Sequence, residues 1–328
     1  MKKNAILTFD YELFLGKRTG TVLNSVIRPT RLILDTLQRE NARAIFFVDA
    51  TWLLFLQKNS IPDLRIISEQ VRDIIRQGSS VELHLHPQWL RAQTTGDIIS
   101  FNGPEYYKLQ AFKQHEVTEI FKNSIELLES ITLQRVRCYR AGGFCIEPFA
   151  HIKNAFEAHK IRYDFSSVPG VYLKSGHDYD FDFRSAPDLM YYPFRDNVTQ
   201  PDRNGDYYEF PVSTYNNNPF YRIYNLGLLR LKKDKIFGDG EGIQQELSLI
   251  SRLKSKKLGF SRTFLTLDQM DHNLFKFILK YHYGKKQLIV ILSHPKTFSA
   301  RSAAHMSYVT RNYITMNSDD LDRYLMED

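Results

Sequence analysis

The chain has 328 residues, 43% of them hydrophobic and 25% charged, a composition that excludes intrinsic disorder and supplies a large core. A formal charge of +7 would suit an acidic partner, but the basic residues are scattered. The tightest cluster, Arg252, Lys254, Lys256 and Lys257, reads as a solvated helix face, so no nucleic-acid partner is expected.

Met1, Lys2, Lys3 and Asn4 lead directly into a strand over 5–9, without the apolar segment and small-residue cleavage site of a signal peptide. With only Cys138 and Cys145 as cysteines, too few for a disulfide framework, this favours a reducing, cytoplasmic location. The strand ends in Thr8, Phe9, Asp10, Tyr11 and Glu12. Residues two apart on a strand share a face, so Asp10 and Glu12 present paired carboxylates, one able to hold a metal and the other to take a proton. Acidic residues at strand ends also serve as turn or N-cap residues.

A helix over 26–40 follows, then the most apolar stretch of the chain, 44–56, interrupted by Asp49. It is shorter than the ~20 residues of a membrane span, so it reads as a strand over 44–48 running into a helix, with no stable membrane insertion. Ser60 and Pro62 start, and Gly78 stops, a helix over 62–76. The strand over 81–86 places Glu82, His84 and His86 on one face and Val81, Leu83 and Leu85 on the other. Two imidazoles at i and i+2 can converge on one cation, and histidine with carboxylate ligation suits catalytic zinc.

Beyond a helix over 116–131, the strand over 136–139 ends at Arg140, Ala141, Gly142, Gly143 and Phe144. The arginine can hold a carboxylate through a bidentate bond, and the glycines let backbone approach a ligand. A helix over 147–159 and a strand over 161–165 come next. The stretch 166–239 then breaks the rhythm with a Tyr-, Phe-, Asp-, Asn- and Pro-rich composition. It reads as an insertion that lines a sugar groove or packs a small core of its own. His177, with Asp178, Asp180 and Asp182, reads as a solvated acidic loop there. A helix over 244–253, a strand over 263–267, a helix over 269–281 and a strand over 288–292 complete the pattern, the last closing on Ser293, His294 and Pro295. A histidine at that edge is placed for general acid–base work.

Alternating strands and helices predict an α/β fold with a mainly parallel sheet or barrel, as one domain over 1–328 with 166–239 inserted in it. Every cluster falls at the C-terminal end of a predicted strand, the edge where such folds assemble their sites.

Taken in order, the clusters resemble the polysaccharide deacetylases, the carbohydrate esterase family 4 enzymes with the NodB homology domain. Thr8-Phe9-Asp10 resembles their opening motif and 44–48 their second strand. The spacing from Gly78 to His84, and His86-Pro87, resemble the metal-histidine segment, and Leu292-Ser293-His294 the closing motif. The resemblance implies a deformed (β/α)7 barrel and a hydrolase that removes the acetyl or other acyl group from an amino sugar, using Zn²⁺ or another divalent transition metal. It implies Asp10 as general base, Arg140 as its tether, His294 as general acid and Asp164, in Tyr163-Asp164-Phe165-Ser166, as the acid that orients that histidine. It implies Glu12, His84 and His86 as the metal ligands, and an oxyanion-binding N–H near Ala141.

Two departures mark a variant branch. Tyr11 follows Asp10 where a second aspartate is usual, leaving Glu12 to supply the metal carboxylate. A His-x-His spacing replaces His-x-x-x-His, with Gln88 at the usual second position. These changes keep open a metal-free amidase on the same barrel, and a catalytically silent carbohydrate-binding protein is the other alternative. The cytoplasmic expectation points to an intracellular carbohydrate substrate, nucleotide-linked or lipid-linked, and the oligomeric state is left open.

Overall fold

The computed structural model describes residues 3–16, 18–95, 98–101, 104–174, 180–231, 234–242 and 261–327. The predicted helix over 244–253, the basic cluster from Arg252 to Lys257, His177 and Asp178 lie outside the described residues.

Nine strands form the main sheet: β1 (Lys3–Tyr11), β2 (Ile45–Asp49), β3 (Ser80–Leu85), β4 (Cys138–Ala141), β5 (Tyr163–Asp164), β6 (Tyr192–Phe194), β7 (Tyr207–Glu209), β8 (Leu288–Ser293) and β9 (Tyr313–Thr315). Their order is β6-β7-β5-β4-β3-β2-β1-β8, with β9 on the lower part of β1, and every pairing except β6–β7 is parallel. Past β7, Phe210 N donates to Asp164 O (2.8 Å), Val212 N to Ser167 O (3.0 Å) and Ser213 N to Val290 O (3.0 Å). This irregular run links β5 across to β8, and the sheet curls into a deformed (β/α)7-type barrel.

β2, β3 and β8 are buried along their whole length, as strands covered on both faces must be. Alternate residues divide between two cores. Leu7, Phe9, Phe46, Val48, Leu83 and Ile291 pack outward, in the cluster that holds the apolar faces of the helices α1 (Arg28–Arg39), α2 (Ala50–Lys58), α3 (Asp63–Arg76) and α4 (Gln114–Thr132). Ile6, Ile45, Phe47, Phe165, Leu288 and Val290 fill the barrel interior. On β1 the inward series that begins with Ile6 continues through Thr8 and Asp10 toward Glu12, so the interior turns polar at the C-terminal ends. Asp49 explains how one apolar run becomes two elements: its carboxylate caps α2 by accepting from Trp52 N.

The structure departs from the sequence reading in three places. In the predicted strand over 263–267, Ser261–Phe264 pairs with Thr214–Asn217 outside the main sheet, and only a Thr266–Leu292 bridge runs beside β8. The helix expected from 147 starts later, as α5 (Lys153–His159), because Pro148 disfavours helical backbone at Glu147 and a short 3-10 turn at Phe149–His151 intervenes. The elements after Pro295, namely α8 (Ala300–Asn312), β9 and α9 (Leu321–Glu327), were not anticipated. Between β7 and β8 the described chain has α6 (Pro219–Leu231), within the 166–239 stretch, and α7 (His272–Tyr283), which matches the helix expected over 269–281. Parts of the 166–239 stretch join the main sheet as β6 and β7. No described helix is long and apolar enough to cross a membrane.

Candidate active site

The parallel register delivers the chemistry-bearing side chains to one edge. Asp49 is level with His84, and His84 with Arg140, so the ends of β2, β3 and β4 lie side by side next to the Asp10–Glu12 end of β1. His294 follows the last residue of β8, whose Ser293 pairs with Phe9. Asp10, Glu12, His84, His86, Ala141, Gly143 and His294 line a cleft of about 470 Å³, walled also by Tyr107, Phe144, Phe264 and Lys296.

Glu12, His84 and His86 form one buried group whose ligand atoms all lie within 4.8 Å of one another. Glu12 Oε2 is 2.5 Å from His86 Nε2 and 3.4 Å from His84 Nε2, yet neither Glu12 Oε2 nor His84 Nε2 has a directed hydrogen bond. His84 Nδ1–H donates to the Arg140 carbonyl at 2.8 Å, which turns the Nε2 lone pair of the neutral ring into the group. Buried, converging and unsatisfied, this donor set fits a divalent metal ion.

Charge follows from the same packing. Burial alone would raise the Glu12 pKa, but Lys296 first and then the histidines hold it well below the usual carboxylate range. Burial pulls His84 down, but Asp10, Glu12 and Asp49 outweigh it and set its pKa at about 9 when no cation is bound. A dication held there would supply that positive charge and displace the proton. Gly142 is required beside the group: a Cβ would fall 2.4 Å from Leu85 O and 2.7 Å from His86 Nδ1.

The second half of the site is built on Arg140. Its Nη1 donates to Asp10 Oδ1 (2.6 Å) and Thr8 Oγ1 (2.9 Å), its Nε donates to Phe165 O (3.0 Å), and its guanidinium lies 4.4 Å over the Phe47 ring. Burial would raise the Asp10 pKa, but Arg140, His84 and His294 together keep it lowered, so Asp10 is ionised near neutral pH. His294 Nε2 stands 3.7 Å from Asp10 Oδ2 and 3.8 Å from Glu12 Oε1.

This geometry corrects one expectation and narrows another. Asp164 makes no contact with His294: it accepts from Ser166 N (3.1 Å) and Ser166 Oγ (2.7 Å) and pairs with buried Glu209 on the neighbouring strand β7. The Ala141 N–H itself is committed to Ser166 Oγ at 2.9 Å, so an oxyanion donor near Ala141 falls to a neighbouring N–H.

Three residues went unassigned in the sequence reading. Asp268 orients His294, with Oδ2 3.5 Å from Nδ1 and 3.3 Å from His294 N, and it is itself held by Ser293 Oγ (2.7 Å) and Thr297 Oγ1 (2.8 Å). The signal was present, since Asp268 directly follows a predicted strand. Lys296 places Nζ 2.6 Å from Glu12 Oε1 and 3.1 Å from Leu13 O. Asp49 accepts from His86 N (3.3 Å) and so fixes the backbone behind that ring. Asp268→Ala is expected to lower kcat about 10- to 100-fold with KM and bound metal nearly unchanged, because the active-site group it frees is His294, which is not a metal ligand, while the hydroxyls of Ser293 and Thr297 that also lose a partner lie outside the cleft lining. Steady-state kinetics with metal analysis would check this, and a loss confined to KM would exclude the role.

A scan against family models finds no match, and a search of curated proteins also finds none. Solved structures do match. A Mycobacterium smegmatis protein, provisionally assigned as a polysaccharide deacetylase, aligns at a TM-score of 0.51 and 14% identity over 99% of this chain and 91% of its own. A mutant of the peptidoglycan deacetylase PdaC from Bacillus subtilis aligns at 0.40 and 11% over 99% of this chain and 93% of its own. A family 4 carbohydrate esterase pseudoenzyme from Bacillus anthracis aligns at 0.42 and 10% over 98% of this chain and 65% of its own. The first of these establishes the fold, and the other two overlap too loosely to add to it.

Proposed function

We propose that this chain, which has the fold of the polysaccharide deacetylases, is a metal-dependent amide hydrolase that removes the N-acetyl or other N-acyl group from an amino sugar of a polysaccharide or glycan precursor. One observation carries the reading: an ionised, arginine-clamped Asp10, a carboxylate-oriented His294 and the Glu12–His84–His86 group share a single cleft. A sugar-binding protein without chemistry has no use for a base, its clamp and an acid together.

Glu12, His84 and His86 would hold the metal, whose chemistry is to polarise an acyl carbonyl and lower the pKa of water. Asp10 Oδ2, the oxygen not bonded to Arg140, is the proton acceptor, and Arg140 fixes its direction. His294, backed by Asp268, delivers a proton to the departing amine nitrogen. Tyr107, Phe144 and Phe264 supply apolar walls for the sugar ring. A reducing, cytoplasmic compartment belongs to the same proposal, since Cys138 and Cys145 are both buried and unpaired.

Lys296 favours a second reading. Its ammonium neutralises one oxygen of Glu12 and puts a fixed positive charge beside the cleft, as a metal-free amidase would need. Acyl release from a panel of N-acylated amino sugars, with and without chelator, tests both. Release that requires zinc supports the first reading, chelator-resistant release the second, and no release from any sugar sinks both.

A further inference from the structure

Away from the cleft, the outer faces of α6 and α7 carry an apolar patch. Phe220 is 81% exposed, Ile223 66% and Tyr281 71%, with Tyr224 and Phe277 about half exposed. The two helices are neighbours: the Tyr221 ring lies 5.8 Å from Phe277, and Phe277 stacks on Tyr281 at 5.5 Å. Among the described residues the two helices carry charge of one sign. Arg222 on α6 and Lys276 and Lys280 on α7 are described cations, and the 13 and 12 residues of the two helices include no aspartate or glutamate. The adjoining ladder of Thr214–Asn217 with Ser261–Phe264 has none either. The nearby carboxylates of Asp268 and Asp271 are buried, one against His294 and the other capping α7.

Among the described residues, large exposed aromatics lie among an excess of cations, the one half-exposed carboxylate nearby, Asp188, being matched by both Arg262 and Lys286. This matches the chemistry of an anionic lipid surface, where rings enter the headgroup layer and lysines meet phosphates. The patch also adjoins the cleft. Arg222 bonds Ser261 Oγ, at the start of the strand that ends in Phe264, a cleft wall. Asn225 Nδ2 donates to Gln269 O at 3.2 Å, next to Asp268. We propose that α6 and α7 seat the protein on an anionic membrane surface and bring the cleft to an amino sugar carried on a lipid. The substrate half of this statement rests on the deacetylase reading, and the seating half does not.

Flotation of the full chain with phosphatidylcholine vesicles, and with vesicles containing phosphatidylglycerol, tests the seating without substrate. Binding is expected to be at least about tenfold stronger to the anionic vesicles and to weaken with salt. Lys276→Gln with Lys280→Gln should cost about fivefold for each lysine. Ile223→Glu with Phe277→Glu should abolish flotation while leaving the thermal melt and acyl release from a soluble amino sugar unchanged, and Tyr281→Ser is a gentler second variant that should weaken it. The proposal falls if the parent chain does not float with anionic vesicles, or if the glutamate variant floats as the parent does. It also falls if light scattering shows a dimer that this variant dissolves, which would make the patch a protein interface. Each of these results leaves the deacetylase reading standing, and absent hydrolysis would leave the flotation result standing.

Discussion

Replacing Asp10 with asparagine is expected to lower turnover about 10²- to 10⁴-fold while leaving zinc affinity within a few-fold of the parent. The amide keeps the shape of the carboxylate, and its oxygen can still accept from Arg140 Nη1, now 2.6 Å from Asp10 Oδ1. What is lost is the second oxygen as a proton acceptor. Removing the partner of a buried charge costs about 3–5 kcal/mol when nothing replaces it. Here the cost should fall below that range, because Thr8 Oγ1 and Phe165 O continue to accept from the guanidinium. Kinetics, a thermal melt and zinc titration on one preparation separate these effects. Turnover equal to the parent's would remove Asp10 from the chemistry.

The second large effect is on the metal itself. The double variant His84→Ala, His86→Ala should lose bound zinc, with affinity falling more than about 100-fold, since even residues that merely orient metal ligands are worth 10- to 100-fold. Glu12 would remain with Lys296 on one oxygen, a poor site for a dication. Zinc analysis of protein purified without chelator gives the answer, and retention of the parent stoichiometry would show that the ion is held elsewhere or not required. Comparing this variant with Asp10→Asn also separates the two readings of the cleft. Under the metal-dependent one both variants lose most of their turnover, whereas a metal-free amidase loses it through Asp10 and keeps a larger part without the histidines.

The parts of this site that could be read in advance share a physical reason. On a strand the side-chain period is two, so Asp10 with Glu12 and His84 with His86 had to share faces once β1 and β3 were recognised. Apolar runs bounded by turn signals located β2 and β8 in the same way, and parallel pairing set all these ends along one edge. Arg140 was legible as the last polar residue before a glycine turn.

Other residues depend on contacts that no local pattern encodes. Asp164 has the strand-end position of the others, but β7 pairs alongside β5 and gives it Glu209 as a neighbour, 45 positions away in sequence, in place of His294. Asp268 reaches His294 because the chain leaving Phe264 turns from its ladder to run beside β8. Lys296 reaches Glu12 only through the tight turn at Pro295–Thr297. The C-terminal elements escaped for a different reason: β9 is three residues long, too short for alternation to register, and it joins β1 across nearly the whole chain.

Arg140 has two ends with separate duties. Its guanidinium aims Asp10, and its carbonyl takes the Nδ1–H of His84 and so aims the opposite ring nitrogen. Both distances are measured from one rigid residue, locked by Phe47 and Phe165 deep in the barrel. A shift of β4 therefore changes proton acceptor and ligand in step and preserves their spacing, so the site tolerates whole-strand drift better than motion of any single side chain. The same economy limits redesign: a variant meant to retune the ligand field through this strand also re-aims the base, and neither can be optimised while the other is held fixed.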